Sequence, residues 1–354
     1  MRYLLFLLLI ASTLVSQAQK KQVRLLFAGD AMQHMPQVNA AKTADGGYNY
    51  DTCFHLIKEN ISAADLAFVN FETTLAGKPY SGYPAFNAPD EFAIGLKNAG
   101  FDVFFQANNH AVDKGKKGLE RTIDFLDSIG IKHTGTFKSN DTRELYYPLM
   151  IIKNGIRMAF LNYSYDTNGI PVTKPNIVNS MDTVQIKKDI ALAKRYHPDI
   201  LIANMHWGEE YMTSPSREQQ KLADMLLRNG VRIIIGNHPH VVQPLVVNEE
   251  GEKIFSVVYY SLGNFISNQQ KKHTDGGMIA EITISKEDEQ EVSIDSWDYS
   301  LVWVHKYYAN KKNNYMLIPS WIDPQQEIQG MNDIQKQKMN TFVRNAKEII
   351  HKKI

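Results

Sequence analysis

The chain of 354 residues has a single cysteine, Cys53, and almost no net charge. One cysteine cannot form an internal disulfide, and Cys53 lies outside every polar cluster described below, which argues against thiol catalysis. Lysine and arginine together number 39 against 38 aspartates and glutamates, which gives a formal charge of +1. Binding to a polyanion such as nucleic acid requires an excess of basic residues on one face, so no nucleic-acid partner is expected.

Several catalytic signatures are also missing from the sequence. It contains no Gly-x-Ser-x-Gly elbow, Walker-type phosphate loop, Gly-x-Gly-x-x-Gly fingerprint or His-Glu-x-x-His helix. Serine hydrolases, nucleotide triphosphatases, dehydrogenases and zincins therefore lose support. The hydrophobic fraction of 44% and charged fraction of 22% are those of a globular protein with a large core.

The first residues have the pattern of an export signal. A short basic start precedes an apolar run from Leu4 to Val15, and Ser16-Gln17-Ala18 fits a small-x-small cleavage site. The run is shorter than the roughly 20 residues that span a bilayer, so we expect a cleaved signal peptide at residues 1–18, with an uncleaved anchor as the alternative. The expected location is the periplasm or the cell surface.

Short polar clusters stand where strongly apolar runs end. Apolar runs separated by helical segments predict buried parallel strands, whose carboxyl ends form the sheet edge at which α/β proteins bind ligands. Asp, Glu, Asn and His offer mixed oxygen and nitrogen donors that suit a first-row divalent metal, so a metal site is the leading hypothesis. The clusters are Gly29-Asp30, Asn70-Phe71-Glu72, Asn108-Asn109-His110, Asn204-Met205-His206 and Asn237-His238-Pro239-His240.

The alternation of strands and helices predicts an α/β fold. It continues to about residue 235, and after Pro244 the helical segments give way to extended runs that predict a second, largely antiparallel sheet. A terminal helix is expected from Asn332 to Lys352. The proline- and glycine-rich stretch from Ala76 to Pro89 predicts a surface loop near the site.

Two pairs of residues in these clusters suggest specific roles. In an extended segment side chains alternate with period two, so His238 and His240 are expected on one side, facing one metal centre or two adjacent ones. Asn109 can supply a neutral oxygen ligand, and His110 can act as a general acid near neutral pH. The alternative is that Asn109 makes a turn and His110 caps it.

Six ordered motifs resemble those of the poly-γ-glutamate capsule-biosynthesis family (CapA type), which is similar in fold to the calcineurin-like metallophosphoesterases. The resemblance implies an α/β fold with two packed β-sheets flanked by helices in αββα layers. We expect that domain over residues 19–310 and a C-terminal extension with the terminal helix over residues 311–354. The motifs lie between Val23 and Gly277; they are Gly29 to His34, Asn70 to Glu72, Ala107 to His110 with Asp113 and Gly115, His206 to Gly208 with Glu210, Gly236 to His240, and Tyr260 to Phe265.

The same resemblance implies a site with two divalent ions, Mn, Fe or Zn, bridged by Glu72. His110 would protonate the leaving group, and Asp113 would orient His110 or else simply begin a helix. The family with the best understood chemistry has Asp-x-His at the first motif, whereas here His34 follows Asp30 by four residues. His34 can replace the missing imidazole only if the loop folds back. The implied metal ligands are Asp30, His34, Glu72, Asn109, His206, His238 and His240.

Four further residues are expected to shape a substrate pocket, although large aromatic residues are often simple packing. The complete ligand array favours a periplasmic or cell-surface, metal-dependent hydrolase that acts on a phosphoester. The alternatives are a non-catalytic factor that binds or exports an anionic surface polymer, and an amidase that cuts γ-glutamyl bonds. A phosphoester or anionic polymer and membrane-associated capsule machinery are the expected partners. The pocket residues are Trp207, Glu210, Tyr211 and Asn264.

Overall fold

A computed structural model of the chain describes residues 20–287, 290–323 and 325–354. The predicted signal peptide at residues 1–18 lies outside these described residues. Among them, no helix combines the length and the apolar character needed to cross a bilayer.

The strands form one large sheet and a small two-stranded one. The large sheet has the order β4-β3-β2-β1-β14-β15-β12-β10-β9-β7-β6, with β11 paired to β12, β13 to β1 and β16 to β15, and β5 pairs with β8 separately. The strands are β1 (Lys21–Ala31), β2 (Leu66–Phe71), β3 (Val103–Phe105), β4 (Lys132–Thr134), β5 (Thr136–Phe137), β6 (Leu149–Lys153), β7 (Ile156–Ser164), β8 (Ile177–Val178), β9 (Ile200–His206), β10 (Val231–Asn237), β11 (Leu245–Glu250), β12 (Lys253–Tyr259), β13 (Asn264–Ile266), β14 (Gly276–Lys286), β15 (Ser293–Ala309) and β16 (Lys312–Pro319).

Nine helices lie within the described residues, most of them on the outer faces of the sheet. Two of them, α2 and α3, are short helices that follow each other closely between β1 and β2. The helices are α1 (Met35–Ala41), α2 (Asp51–Phe54), α3 (Lys58–Ser62), α4 (Asp90–Ala99), α5 (Gly115–Ser128), α6 (Asn140–Tyr146), α7 (Thr183–Arg195), α8 (Arg217–Arg228) and α9 (Asp333–Ile350).

The large sheet consists of two halves that pack face to face. Strand β12 meets β15 through one residue pair, Ile254 and Ile294, so the hydrogen-bonded path is almost interrupted there. Across the interior, the rings of Phe68 of β2 and Phe160 of β7 pack at a tilt, with centroids 4.7 Å apart. Residues of both halves belong to one buried cluster, which accounts for the predicted αββα layers.

Each outer face of the sheet is covered by helices. Phe92 and Leu96 of α4 pack on the β1–β3 half. Ile186 and Ile190 of α7 pack on the β7–β10 half, together with Leu226 of α8. The apolar runs of the central strands are therefore buried on both sides, as their sequences predict.

The antiparallel strands after Pro244 do not form a separate sheet. Strand β14 pairs with β1 along eight residues, and β15 pairs with β14, so these strands extend the first, parallel half. The terminal segment joins the same core, since β16 pairs with β15 and Phe342 of α9 lies in the central cluster. The predicted division at residue 310 falls in the turn between β15 and β16.

Candidate metal centre

The site is built at the carboxyl ends of strands from both halves of the sheet. Asp30 of β1 is the register partner of Asn70 of β2, and His206 of β9 is the partner of Asn237 of β10. Asn70 joins the two halves, because its Nδ2 lies 2.7 Å from Asp30 Oδ1 and 3.3 Å from His206 Nδ1. The ends of four buried strands thus bring their polar side chains together, as the strand-end clusters predict.

Two motif glycines allow the backbones around the site to approach closely. A Cβ on Gly29 would lie 2.0 Å from Gly263 O, and one on Gly236 would lie 1.9 Å from Tyr260 O. Any side chain at these positions would push the neighbouring segment away, and with it Asp30, whose backbone N–H donates to Gly263 O at 2.9 Å.

Asp30 is fully buried and well supplied with hydrogen-bond partners. Its Oδ1 accepts the amide of Asn70, and its Oδ2 lies 3.0 Å from His240 Nδ1. The backbone N–H of His238 also points to this carboxylate, 3.3 Å from Oδ2. Asp30 is therefore held in one orientation before any ligand arrives.

Glu72 is also fully buried, but its Oε1 has no hydrogen-bond partner within the described residues. Three imidazole nitrogens surround that oxygen: His206 Nε2 at 3.7 Å, and His110 Nε2 and His240 Nε2 at 3.9 Å each. These distances are too long for hydrogen bonds. They do match two ligands of one cation, since bonds of about 2.1 Å at ordinary angles place ligand atoms roughly 3–4 Å apart.

Two groups of side chains in the described part of the chain bring their donor atoms within 4.8 Å of one another. One consists of Glu72, His238 and His240, and the other of Asp30, Glu72 and His206. Glu72 is common to both, which is the placement that a bridging carboxylate requires. The donor set and the orphaned Glu72 oxygen therefore fit a divalent metal centre.

The protonation of this centre is shaped chiefly by burial. Burial, followed by the charge of Asp30, raises the pKa of Glu72 well above its usual value. Burial also lowers the pKa of His206 and of His238 far below the ordinary histidine value, and neighbouring imidazoles add to this. Both rings are thus neutral at physiological pH, the form in which histidine binds metals.

Asn109 and His110 enter the site from the segment after β3. Asn109 Oδ1 lies 2.9 Å from His206 Nε2, within the donor cluster. His110 Nδ1 lies 2.7 Å from Asp113 Oδ2, which also accepts the backbone N–H of Phe86 at 2.6 Å. Asp113 precedes Lys114, the N-cap of α5, so it orients His110 and does not cap the helix.

The loop from Ala76 to Pro89 reaches the site through Phe86. This ring packs edge-on against His110 and His34, with centroid distances of 4.6 and 5.0 Å. His34 itself is the N-cap residue of α1, and its Nδ1 lies 3.2 Å from Gln37 Oε1 and 3.3 Å from the backbone N of Asn268. His34 thus borders the centre but belongs to neither of the two donor groups.

Replacing His34 by glutamine should reduce the acid sensitivity of the metal-free protein. Burial lowers the pKa of His34 to about 4. An unfolded histidine takes up a proton near pH 6.5, so His34 favours unfolding increasingly as pH falls from 6.5 to 4, by up to about 3 kcal/mol. Urea unfolding across this range should show a shallower pH slope for H34Q, and an identical slope would contradict this role.

The backbone at His238-Pro239-His240 differs from the extended segment that was expected. His238 and His240 have φ values of 96° and 60°, in the left-handed region that non-glycine residues rarely adopt. The two rings nevertheless face the same centre, 5.8 Å apart. The turn, and not a period-two alternation, brings them together, and such backbone strain is typical of functional sites.

The four expected pocket residues occupy different environments. Trp207 is buried in the core behind the site, where its indole N–H donates to Tyr260 O at 2.9 Å, so it acts as a packing residue. Glu210 is exposed, and the Tyr211 ring lies 6.2 Å from that of His240, at the mouth. Asn264 is buried beside Asp30. Its Nδ2 donates to Gln269 Oε1, and its Oδ1 has no hydrogen-bond partner among the described atoms.

Two residues that sequence reasoning did not assign to the site contribute to it. Asn70 was part of a motif, and its amide now proves to contact Asp30, Glu72 and His206. Tyr165 follows β7, and its ring lies 4.4 Å from that of His238. Partial burial raises the pKa of Tyr165 to about 12, so its phenol stays protonated. No signal near Tyr165 distinguishes it from other tyrosines.

Residues 24–269 match the family model described as bacterial capsule synthesis protein PGA_cap. The chain belongs to this family. It is 28% identical over 269 residues to the capsule biosynthesis protein CapA of Bacillus anthracis. The aligned region covers 72% of this chain and 62% of that protein. It is 29% identical over 271 residues to the PGA biosynthesis protein CapA of Bacillus subtilis, covering 73% and 67% of the two chains. This chain therefore spans about two thirds of the length of these relatives.

Solved structures with a similar layering are calcineurin-like phosphoesterases and nucleotidases. One is YfkN from Bacillus subtilis, a calcineurin-like phosphoesterase. The superposition covers 94% of this chain and 100% of the YfkN chain, with 13% sequence identity and a TM-score of 0.46. The NAD nucleotidase of Haemophilus influenzae covers 93% and 61%, with 10% identity and a TM-score of 0.49. At these scores, nothing about the chemistry of this chain follows from the likeness.

Proposed function

We propose that this PGA_cap-family protein is a metal-dependent hydrolase of phosphoesters. The observation that carries the proposal is the buried Glu72 Oε1, which has no hydrogen-bond partner in the described part of the chain and faces three imidazole nitrogens at 3.7–3.9 Å. A buried anionic oxygen in this position is costly unless a cation neutralises it. Glu72 belongs to both donor groups, which supports two ions of Mn, Fe or Zn.

A bound divalent pair would polarise a water molecule and neutralise charge on the phosphoryl oxygens. The residues of the chain supply orientation and the proton. Asp30 is fixed by Asn70 and His240, so the donor geometry exists in advance. Asp113 Oδ2 holds His110 by its Nδ1, which leaves Nε2 directed toward the centre.

Hydrolysis replaces the ester oxygen on phosphorus by the oxygen of water. The oxygen of water forms a bond to phosphorus, the bond between phosphorus and the ester oxygen breaks, and the leaving oxygen takes a proton from His110 Nε2. The proton released by the attacking water can return to His110 and restore it. Phe86 packs on His110 and helps to exclude bulk water from this side of the ring.

The cellular setting is part of the same proposal. The apolar start of the sequence supports export to the periplasm or cell surface through a cleaved signal peptide. The names of the two Bacillus relatives support a role in the biosynthesis of a capsule or poly-γ-glutamate, in contact with membrane-associated capsule machinery. A γ-glutamyl amidase or a non-catalytic polymer-binding factor would use the same residues, and analysis of reaction products separates these functions.

Purified protein should contain divalent metal and hydrolyse bis(p-nitrophenyl) phosphate. Replacing His206 by alanine removes an imidazole that belongs to one of the two groups of potential metal ligands. The same ring contacts Asn109 and Asn70. The expected result is a loss of at least about a hundredfold in kcat/KM together with a lower metal content. His55→Ala, at an exposed histidine, is the matched control. Equal activity of H206A and H55A, or no activity with any of the three metals, would refute the proposal.

A further inference from the structure

A second concave feature lies beside the metal centre. A cleft of about 1080 Å³ opens between the segment from Ser267 to Asp275, strands β15 and β16, and the start of α9. Its volume is that of a site for a sizeable ligand. Strands β15 and β16 and helix α9 lie beyond residue 269, where the match to the family model ends, so most of this cleft belongs to the part of the chain outside that match.

The cleft carries a strong excess of positive charge, which contrasts with the nearly neutral chain. Four lysines line it, Lys271, Lys272, Lys306 and Lys338, and none of them forms an ion pair within the described residues. The one carboxylate in the lining is Asp275, whose Oδ2 accepts the indole N–H of Trp303 at 2.9 Å. Unpaired ammonium groups facing one cleft favour a ligand with more than one negative charge.

The remaining lining is rich in carboxamides, including Asn313, Gln337 and Asn345. A carboxamide both donates and accepts hydrogen bonds, so it pairs well with hydroxyl groups, which also do both. Lysine side chains alone would be enough to bind a polymer that carries only carboxylates or phosphates. The combination of lysines and carboxamides favours an anionic polymer whose linking units carry hydroxyl groups.

The cleft is connected to the metal centre through the same segment. Lys271 lines the cleft, and its Nζ also lies 5.5 Å from the centroid of the Tyr211 ring at the mouth of the site. Asn268 accepts from Tyr315 OH at 2.6 Å in the cleft wall, while its backbone N–H points to His34 Nδ1. A ligand that extends from the centre past Tyr211 therefore meets the lysines.

We propose that this cleft binds the neighbouring repeats of a phosphodiester-linked polyol or sugar chain while one of its phosphodiesters lies at the metal centre. The choice of ligand rests on the proposed phosphoesterase function, because a repeating phosphodiester supplies a reactive group to the centre and further charges to the cleft. The hydroxyls of the linking units pair with the carboxamides.

The test measures binding of a short glycerol phosphate oligomer to the full chain in the H206A background without metal, so that hydrolysis plays no part. The double variant K272A/K338A should raise Kd about tenfold at moderate salt, and added salt should reduce that difference. K187A/K188A, at exposed lysines of α7, is the charge-matched control and should leave Kd unchanged. Poly-γ-glutamate of equal charge should bind more weakly.

An unchanged Kd in K272A/K338A would overturn the cleft as the binding site. Tighter or equal binding of poly-γ-glutamate would overturn the phosphodiester class. Failure of the native protein to hydrolyse bis(p-nitrophenyl) phosphate would instead count against the hydrolase function, and the metal-free binding measurement would still report on the cleft.

Discussion

Replacing Glu72 by glutamine is expected to stabilise the metal-free protein and, at the same time, to abolish its stabilisation by divalent metal. Burial and the nearby charge of Asp30 raise the pKa of Glu72. A carboxyl group with a raised pKa in the folded state costs stability as pH rises above its usual value near 4.5, because the unfolded chain ionises more easily. Glutamine keeps the shape and removes this charge.

Metal-free E72Q should therefore have a higher free energy of unfolding than the native protein at pH 8, and the gain should be smaller at pH 5. In the native protein, metal at a hundred times its Kd should add about 2.7 kcal/mol, and E72Q should lose this increment along with hydrolysis. Denaturant unfolding with and without metal measures both effects. Glu348→Gln, at an exposed position of α9, is the control. A variant E72Q that still gained stability from metal would disprove the role of Glu72.

Replacing His110 by asparagine is expected to slow hydrolysis according to the leaving group. His110 is held by Asp113 and directs Nε2 toward Glu72 Oε1, 3.9 Å away. An alkoxide needs a proton in order to leave, so kcat for an alkyl phosphodiester should fall by about 10²–10⁴. p-Nitrophenolate leaves readily without protonation, and its esters should be affected far less.

The leaving-group comparison separates proton transfer from other roles of His110. Metal content is measured for each variant, since His110 lies close to the donor groups. Asp113→Asn should reduce alkyl ester hydrolysis in the same direction but by less, because the imidazole remains and only its orientation is weakened. Equal losses with both classes of ester would show that His110 supports the metal centre and does not act as the acid.

The buried strands and the gathering of the polar clusters at their ends could be predicted from local sequence, whereas the αββα layering was implied by the family resemblance. Buried strands such as Ile200–His206 are continuous apolar runs, and each predicted cluster lies where such a run ends. Helix starts were equally local, since Asp182 and Ser216 cap α7 and α8 through their own side chains. These features depend on neighbours within a few residues, so the sequence contains them directly.

Features that depend on distant partners could not be predicted in this way. The pairing of β1 with β14 spans more than 250 residues, so the late antiparallel strands joined the first half of the sheet. The left-handed turn at His238 and His240 is fixed by surrounding contacts, because the residue types there do not favour it. Tyr165 reaches His238 from a loop with no motif, and the role of His34 depends on Asn268, far along the chain.

Glu72 and the imidazoles around it are proposed to hold divalent metal. Anomalous diffraction from crystals grown with Mn²⁺ tests this proposal most directly. The expected result is a metal peak about 2.0–2.3 Å from a carboxylate oxygen of Glu72 and from nitrogens of His206, His238 or His240. Crystals saturated with Mn²⁺ that show no peak at Glu72, with its carboxylate still unpartnered, would contradict the account.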